Sequence, residues 1–169
     1  MRKSSWVALG ICVVLAVGLA FAYTLSRSSS ETLTREEALA LVNTMKEAAT
    51  HKDVNTIMSY VATDPETRVV NVNPDQLRLL IARAFRSAGK IRPEIAHFSF
   101  AGGPNEATME FDLTVFNDHG DGVSQDYQGH IILKLRRLEM SHLLGLYQTR
   151  EWRIVGGSST GPDLNNFGE

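Results

Sequence analysis

The chain has 169 residues, 43% hydrophobic and 21% charged, with a formal net charge of -2. That is room for one domain once an N-terminal segment is set aside, and the slight acidic balance excludes a general nucleic-acid binder, which carries a basic excess. The single cysteine, Cys12, lies in an apolar run near the N-terminus, so the rest of the chain has neither disulfide nor thiol chemistry.

Residues 1–5, MRKSS, form a basic tail, and residues 6–25 follow without a charge. Twenty apolar residues rising about 1.5 Å each span roughly 30 Å, the thickness of a bilayer's hydrocarbon core. Trp6 and Tyr23 stand at opposite ends of the run, where aromatic rings favour the headgroup level. The segment is expected to anchor the chain in a lipid bilayer by a single pass, with Arg2 and Lys3 cytoplasmic and the C-terminal domain outside. The alternative is a secretory signal cleaved after Ala22, at Ala20-Phe21-Ala22. Either way the domain is exported. Ile11 stands where lipid attachment at Cys12 needs a small residue, so Cys12 reads as a residue of the apolar helix.

Residues 26–33 are a polar linker. Thr34 with Glu37 three positions on forms a capping box. Leu39, Val42, Met45 and Ala49 then recur at helical spacing, so a helix runs to about Thr50. Asp53 caps a second, shorter helix with Val54, Ile57, Met58 and Val61 inward. RVVNV is a short strand or an extended connector. Asn73-Pro74-Asp75 opens a third helix whose apolar face is Leu77, Leu80, Ile81, Ala84 and Phe85, ending at Gly89.

The pattern then changes period. PEIAHFSFAGG, EATMEFDLTVFN, DYQGHIILKLRRL and TREWRIVGG alternate apolar and polar residues between Gly, Pro and Asn turns, as the strands of an antiparallel meander do. Helices followed by strands predict an α+β domain over 34–157: three helices packed on a curved, cone-like antiparallel sheet of about four strands. Residues 158–169 lack periodicity and read as a flexible tail.

This order resembles the nuclear transport factor 2-like (cystatin-like cone) superfamily. The resemblance rests on the helix from Thr34, the KDVNTIMSYVATD helix, the third helix and the closing EWRIVGG strand with Trp152-Arg153-Ile154. It implies that any chemistry lies inside the cone, as in the ketosteroid isomerases, polyketide cyclases and scytalone dehydratases of that superfamily. It also implies a homodimer built on the open sheet face.

Strand parity decides which groups reach the interior. Met109, Phe111, Leu113 and Val115 share one face; Glu110 and Asp112 share the other and are expected to meet Lys134, Arg136 or Arg153 across strands. Asn117 to Gly122 read as a hairpin turn. NDHGDG has partial calcium-loop spacing, but its twelfth position is Gln128 and it joins strands rather than helices. His97 and His130 fall on polar parity, and no histidine pair has the spacing of a helical metal site. No cofactor motif and no metal or catalytic set is present.

Tyr60, Met109, Phe111, Tyr127 and Trp152 are the candidate pocket lining. The plainer account of the aromatics is a core role in which each O–H or N–H meets the backbone. Phe116, Ile132, Lys134, Arg136 and Val155 are the candidate interface for a second copy or an envelope partner. The leading expectation is thus a non-enzymatic interaction or structural module of the cell envelope. A small apolar ligand-binding cone and an isomerase or dehydratase are the alternatives.

Overall fold

The computed structural model describes residues 32–142 and 147–161. The membrane segment expected at 6–25, with Cys12 and Ala22, lies outside the described residues. Among the described residues no helix is long and apolar enough to cross a membrane.

Three helices come first: α1 (Arg35–Thr50), α2 (Val54–Ser59) and, after the short strand β1 (Arg68–Val69), α3 (Pro74–Ser87). Each starts where local chemistry dictates. The Thr34 backbone N–H donates to Glu37 Oε2 at 2.9 Å and the Glu37 N–H donates to Thr34 Oγ1 at 3.2 Å, closing the predicted capping box. Asp53 Oδ1 accepts the Thr56 N–H at 3.1 Å, and Asn73 Oδ1 accepts the Gln76 N–H at 2.8 Å ahead of Pro74. Helix α3 stops at Ser87, with Ala88 already extended. Gly89 lies beyond the helix and is set by close approach instead, since a Cβ there would run into the carbonyl oxygen of Asp118.

Four long strands follow: β2 (Lys90–Gly102), β3 (Glu106–Asp118), β4 (Val123–His142) and β5 (Tyr147–Ser159). The sheet order is β1-β5-β4-β3-β2, antiparallel except for β1 on β5. The expected four-strand meander is therefore five-stranded, because RVVNV adds a parallel edge with Arg68 opposite Gly156. The segment after α2 also joins this edge, with the Ile154 N–H donating to the Tyr60 carbonyl at 2.8 Å. Strand β5 runs on into the stretch expected as a tail, and Thr160 still donates to the His130 carbonyl at 3.0 Å.

The sheet curves at three irregularities. They fall between Ala96 and Ser99 on β2, opposite Val115/Phe116 on β4, and opposite Lys134/Leu135 on β5. The core forms where α1 and α2 meet the concave face: Ala38 and Val42 from α1, Met58 from α2, and Met109, Leu135 and Ile154 from the strands. Helix α3 packs differently. Only Leu77 of its apolar face is buried, while Leu80, Ile81, Ala84 and Phe85 are half-buried. The helix stands off the sheet.

Candidate functional site

The space left beneath α3 is a cavity of about 590 Å³. Its helical wall is Leu80, Ile81, Ala84 and Phe85, with Val42 and Met45 of α1. Its sheet wall is the inward parity of three strands: Ile91, Pro93 and Ile95 of β2, Phe111, Leu113 and Val115 of β3, and Tyr127 and Ile131 of β4. The alternation that makes strands places all of these on one face. Apolar groups dominate; of the polar lining residues, Asn117 and Asp126 are bonded to each other with His119 nearby, and Lys46 and Ser87 complete the set.

None of these polar groups was expected to line a pocket, and Asn117 and Asp126 escape the sequence pattern for different reasons. Asn117 continues the parity of Leu113 and Val115 by one further step, because β3 runs to Asp118 instead of turning at Asn117. It is 3% exposed. The turn itself is shorter, with the Gly120 N–H bonded to Asp118 Oδ1 at 2.9 Å and a positive φ at Gly120. Extending the alternation through the turn-forming residues would have found Asn117.

No such rule finds Asp126. Val115 pairs Tyr127 and Phe116 pairs Gln125, so Asp126 is the extra residue of a bulge. The bulge turns it onto the same side as Tyr127, against alternation. There Asp126 Oδ2 accepts Asn117 Nδ2–H at 2.7 Å and Oδ1 accepts the Ser124 hydroxyl at 2.5 Å. The Ser124 hydroxyl above all, then the Asn117 amide and nearby His119, hold the Asp126 carboxyl below the usual carboxylate range against the opposing effect of its partial burial. The other end of the amide, Asn117 Oδ1, is buried with no partner among the described residues.

Of the five residues expected to line a pocket, Phe111 and Tyr127 line this cavity. Met109 is fully buried in the core instead, and Tyr60 and Trp152 pack against that same core. The Trp152 Nε1–H has no partner among the described residues, contrary to the expectation that it would meet the backbone. Tyr127 lies along Gly129 and Gly161, where a Cβ would stand 2.5 Å and 2.6 Å from its hydroxyl oxygen; that hydroxyl shares a hydrogen bond with Ser159.

The outer face carries the acids as expected, but with different partners. Asp112 accepts from His130 Nδ1 at 2.8 Å and from His97 Nδ1 at 2.7 Å, and Glu110 faces His130 Nε2 at 3.9 Å. Register explains the correction: His130 is directly opposite Asp112, while Lys134 is opposite Thr108. Arg136 pairs Glu106 at 3.2 Å and Arg153 pairs Glu151. His97 reaches Asp112 from the β2 bulge with a φ of 51°. Among the described residues no group of three or more His, Cys, Asp or Glu is arranged to hold a metal ion.

Of the candidate interface residues, Phe116 is half-buried under the Arg92 guanidinium, 5.0 Å above its ring. Ile132 is half-buried, Lys134 and Arg136 are exposed, and Val155 is the extra residue of the β5 bulge.

Helices closing one side of a curved sheet recur among solved structures. A protein with a cystatin-like fold from Novosphingobium aromaticivorans, described as NTF2-like, superposes with a TM-score of 0.59 at 17% identity, over 85% of this chain and 87% of that one. The fold is that of the NTF2-like, cystatin-like proteins. A Mycobacterium tuberculosis protein of unknown function, Rv3472, shares the arrangement at TM-score 0.59 and 13% identity, covering 74% of each chain. A protein from Streptomyces avermitilis, provisionally assigned as a dehydratase of the NTF2-like family, matches at TM-score 0.57 and 11% identity, over 73% of this chain and 92% of its own. No family model matches the sequence, and no curated protein does. The likeness at these identities is one of fold.

Proposed function

We propose that the domain is a receptor for a small, largely apolar molecule held inside the cone. One observation carries this: the apolar face of α3 is turned to a cavity of about 590 Å³ instead of being packed on the sheet. An amphipathic helix ordinarily buries such a stripe against its neighbour, since each buried aliphatic or aromatic side chain contributes about 1.5–3 kcal/mol. Leu80, Ile81 and Phe85 forgo part of that burial, and a ligand between helix and sheet would restore it. The volume lies within the range of about 300–1,000 Å³ that small-molecule sites occupy.

The reading of the sheet as a partner-facing module has less support. Phe116 is already half-buried under Arg92, and the Asp112 and Arg136 side chains are engaged by the histidines and Glu106 of their own sheet. Anchoring through residues 6–25, with the cone outside the cytoplasm, belongs to the same proposal and would set the receptor to sample molecules there.

The test is calorimetric titration of naphthalene into the full chain in phospholipid nanodiscs, with empty nanodiscs as blank. Saturable binding is expected, and Ala84→Trp, which fills the space from the helix side, should abolish it. Absence of binding, or equal binding by Ala84→Trp, refutes the receptor.

A further inference from the structure

We propose that the molecule held in the cone carries a hydrogen-bond donor, a hydroxyl or ammonium group, at the end that meets Asn117 and Asp126. This rests on the receptor reading above and adds the chemical class of the ligand.

The Asn117 amide is only half used. The Asn117 side chain is buried on the cavity wall, and its nitrogen is turned to Asp126 Oδ2 at 2.7 Å. That orientation is fixed by chemistry. An ionised carboxylate only accepts, so it takes the NH₂ end and repels the carbonyl. The carbonyl oxygen is left without a partner among the described residues. Buried polar atoms are very largely hydrogen-bonded in native proteins, and one left without a partner beside a cavity calls for a ligand or water that supplies the missing donor.

The neighbouring carboxylate has the same need. Asp126 accepts from Asn117 through one oxygen and from Ser124 through the other. A carboxylate offers about four lone-pair sites, so acceptor capacity remains on both oxygens. Two acceptors side by side at an apolar cavity select a ligand with a donor and disfavour one ending in an ether or carbonyl. The bulge is what aims Asp126 there, and bulges that re-aim one side chain gather next to functional sites. Lys46 and His119 also line the cavity and would draw an anionic head; both are exposed, as Asp126 is, whereas the unpartnered carbonyl of Asn117 is buried.

Four probes on one ring system separate these possibilities: naphthalene, 2-methoxynaphthalene, 2-naphthol and 2-naphthoate. Each is titrated into the full chain in nanodiscs against empty nanodiscs. 2-Naphthol should bind about tenfold more tightly than naphthalene or 2-methoxynaphthalene, the scale of one buried hydrogen bond. Asn117→Leu should bring the naphthol-to-naphthalene ratio close to one, and Asp126→Asn, which replaces one acceptor oxygen by a donor, should lower it. Naphthalene binding with no gain for 2-naphthol overturns the donor assignment and leaves the receptor intact. Tighter binding of 2-naphthoate, or a ratio unchanged in both variants, overturns it too. If none of the four binds, the receptor reading falls and this inference with it.

Discussion

Replacing Asn117 by leucine sets two opposing effects against each other, and the structure says how they should balance. The substitution removes the bond from Nδ2 to the Asp126 carboxylate, 2.7 Å long. Hydrogen bonds to charged groups contribute about 1.5–3 kcal/mol, and the exposed position of Asp126 puts this one at the lower end. The same substitution removes a buried carbonyl with no partner, whose desolvation costs about 1–3 kcal/mol. Leucine has the same number of side-chain heavy atoms as asparagine, and its greater bulk meets an apolar wall beside the cavity. The unliganded Asn117→Leu protein should therefore lie within about 1 kcal/mol of the parent.

Asp126→Ala works the other way. It leaves the whole amide without a partner and should cost about 2 kcal/mol. In the Asn117→Leu background, Asp126→Ala should cost less than about 0.5 kcal/mol, since only a surface carboxylate is then removed. Urea unfolding of the four proteins, followed by far-UV ellipticity at constant m-value, reads the cycle directly. A loss above about 3 kcal/mol for Asn117→Leu alone would show that the carbonyl is compensated in the native state, and the amide would then not be half used.

Two further outcomes are expected. Gly129→Ala places a Cβ 2.7 Å from the backbone of Gly161 and 2.5 Å from the Tyr127 hydroxyl. Backbone cannot yield as a side-chain tip can, so the same urea measurement should show a loss of about 1–3 kcal/mol, and a neutral result would refute the close approach. The Asp112 carboxyl is held below its ordinary value by its hydrogen bonds to His130 and then to His97. A lowered folded-state pKa contributes stability that is complete above the unfolded value and lost as pH falls through the folded one, so this contribution disappears only in acid. A carbon-detected titration should place the Asp112 midpoint below the ordinary 3.8, and His130→Ala should move it upward; no movement would dismiss the histidine bonds as its cause.

The sequence by itself determined the elements that rest on near neighbours. Thr34 with Glu37, Asp53 with Thr56, and Asn73 with Pro74 fix their helix starts within four residues, because an orphan N–H is satisfied by the next side chains along. Strand alternation likewise assigned Met109, Phe111 and Tyr127 to the inside and Glu110 and Asp112 to the outside, since a strand's period of two is a local property. The superfamily resemblance followed from that order of elements, and the fold agrees with it.

What the tertiary structure decided is whatever depends on how two distant segments line up. The pairing of Arg68 with Gly156 makes RVVNV a strand, and only that register shows it. The histidine partners of Asp112 come from β2 and β4, two different neighbours of β3. Helix α3 shows an apolar stripe in the sequence, yet its distance from the sheet, and so the cavity, is set by the whole packing of helices on a curved sheet. Asp126 is turned to the cavity's edge because β4 holds one residue more than β3 between two fixed pairings. An extra residue in a ladder has no local signature, since it exists only as a mismatch between two strands.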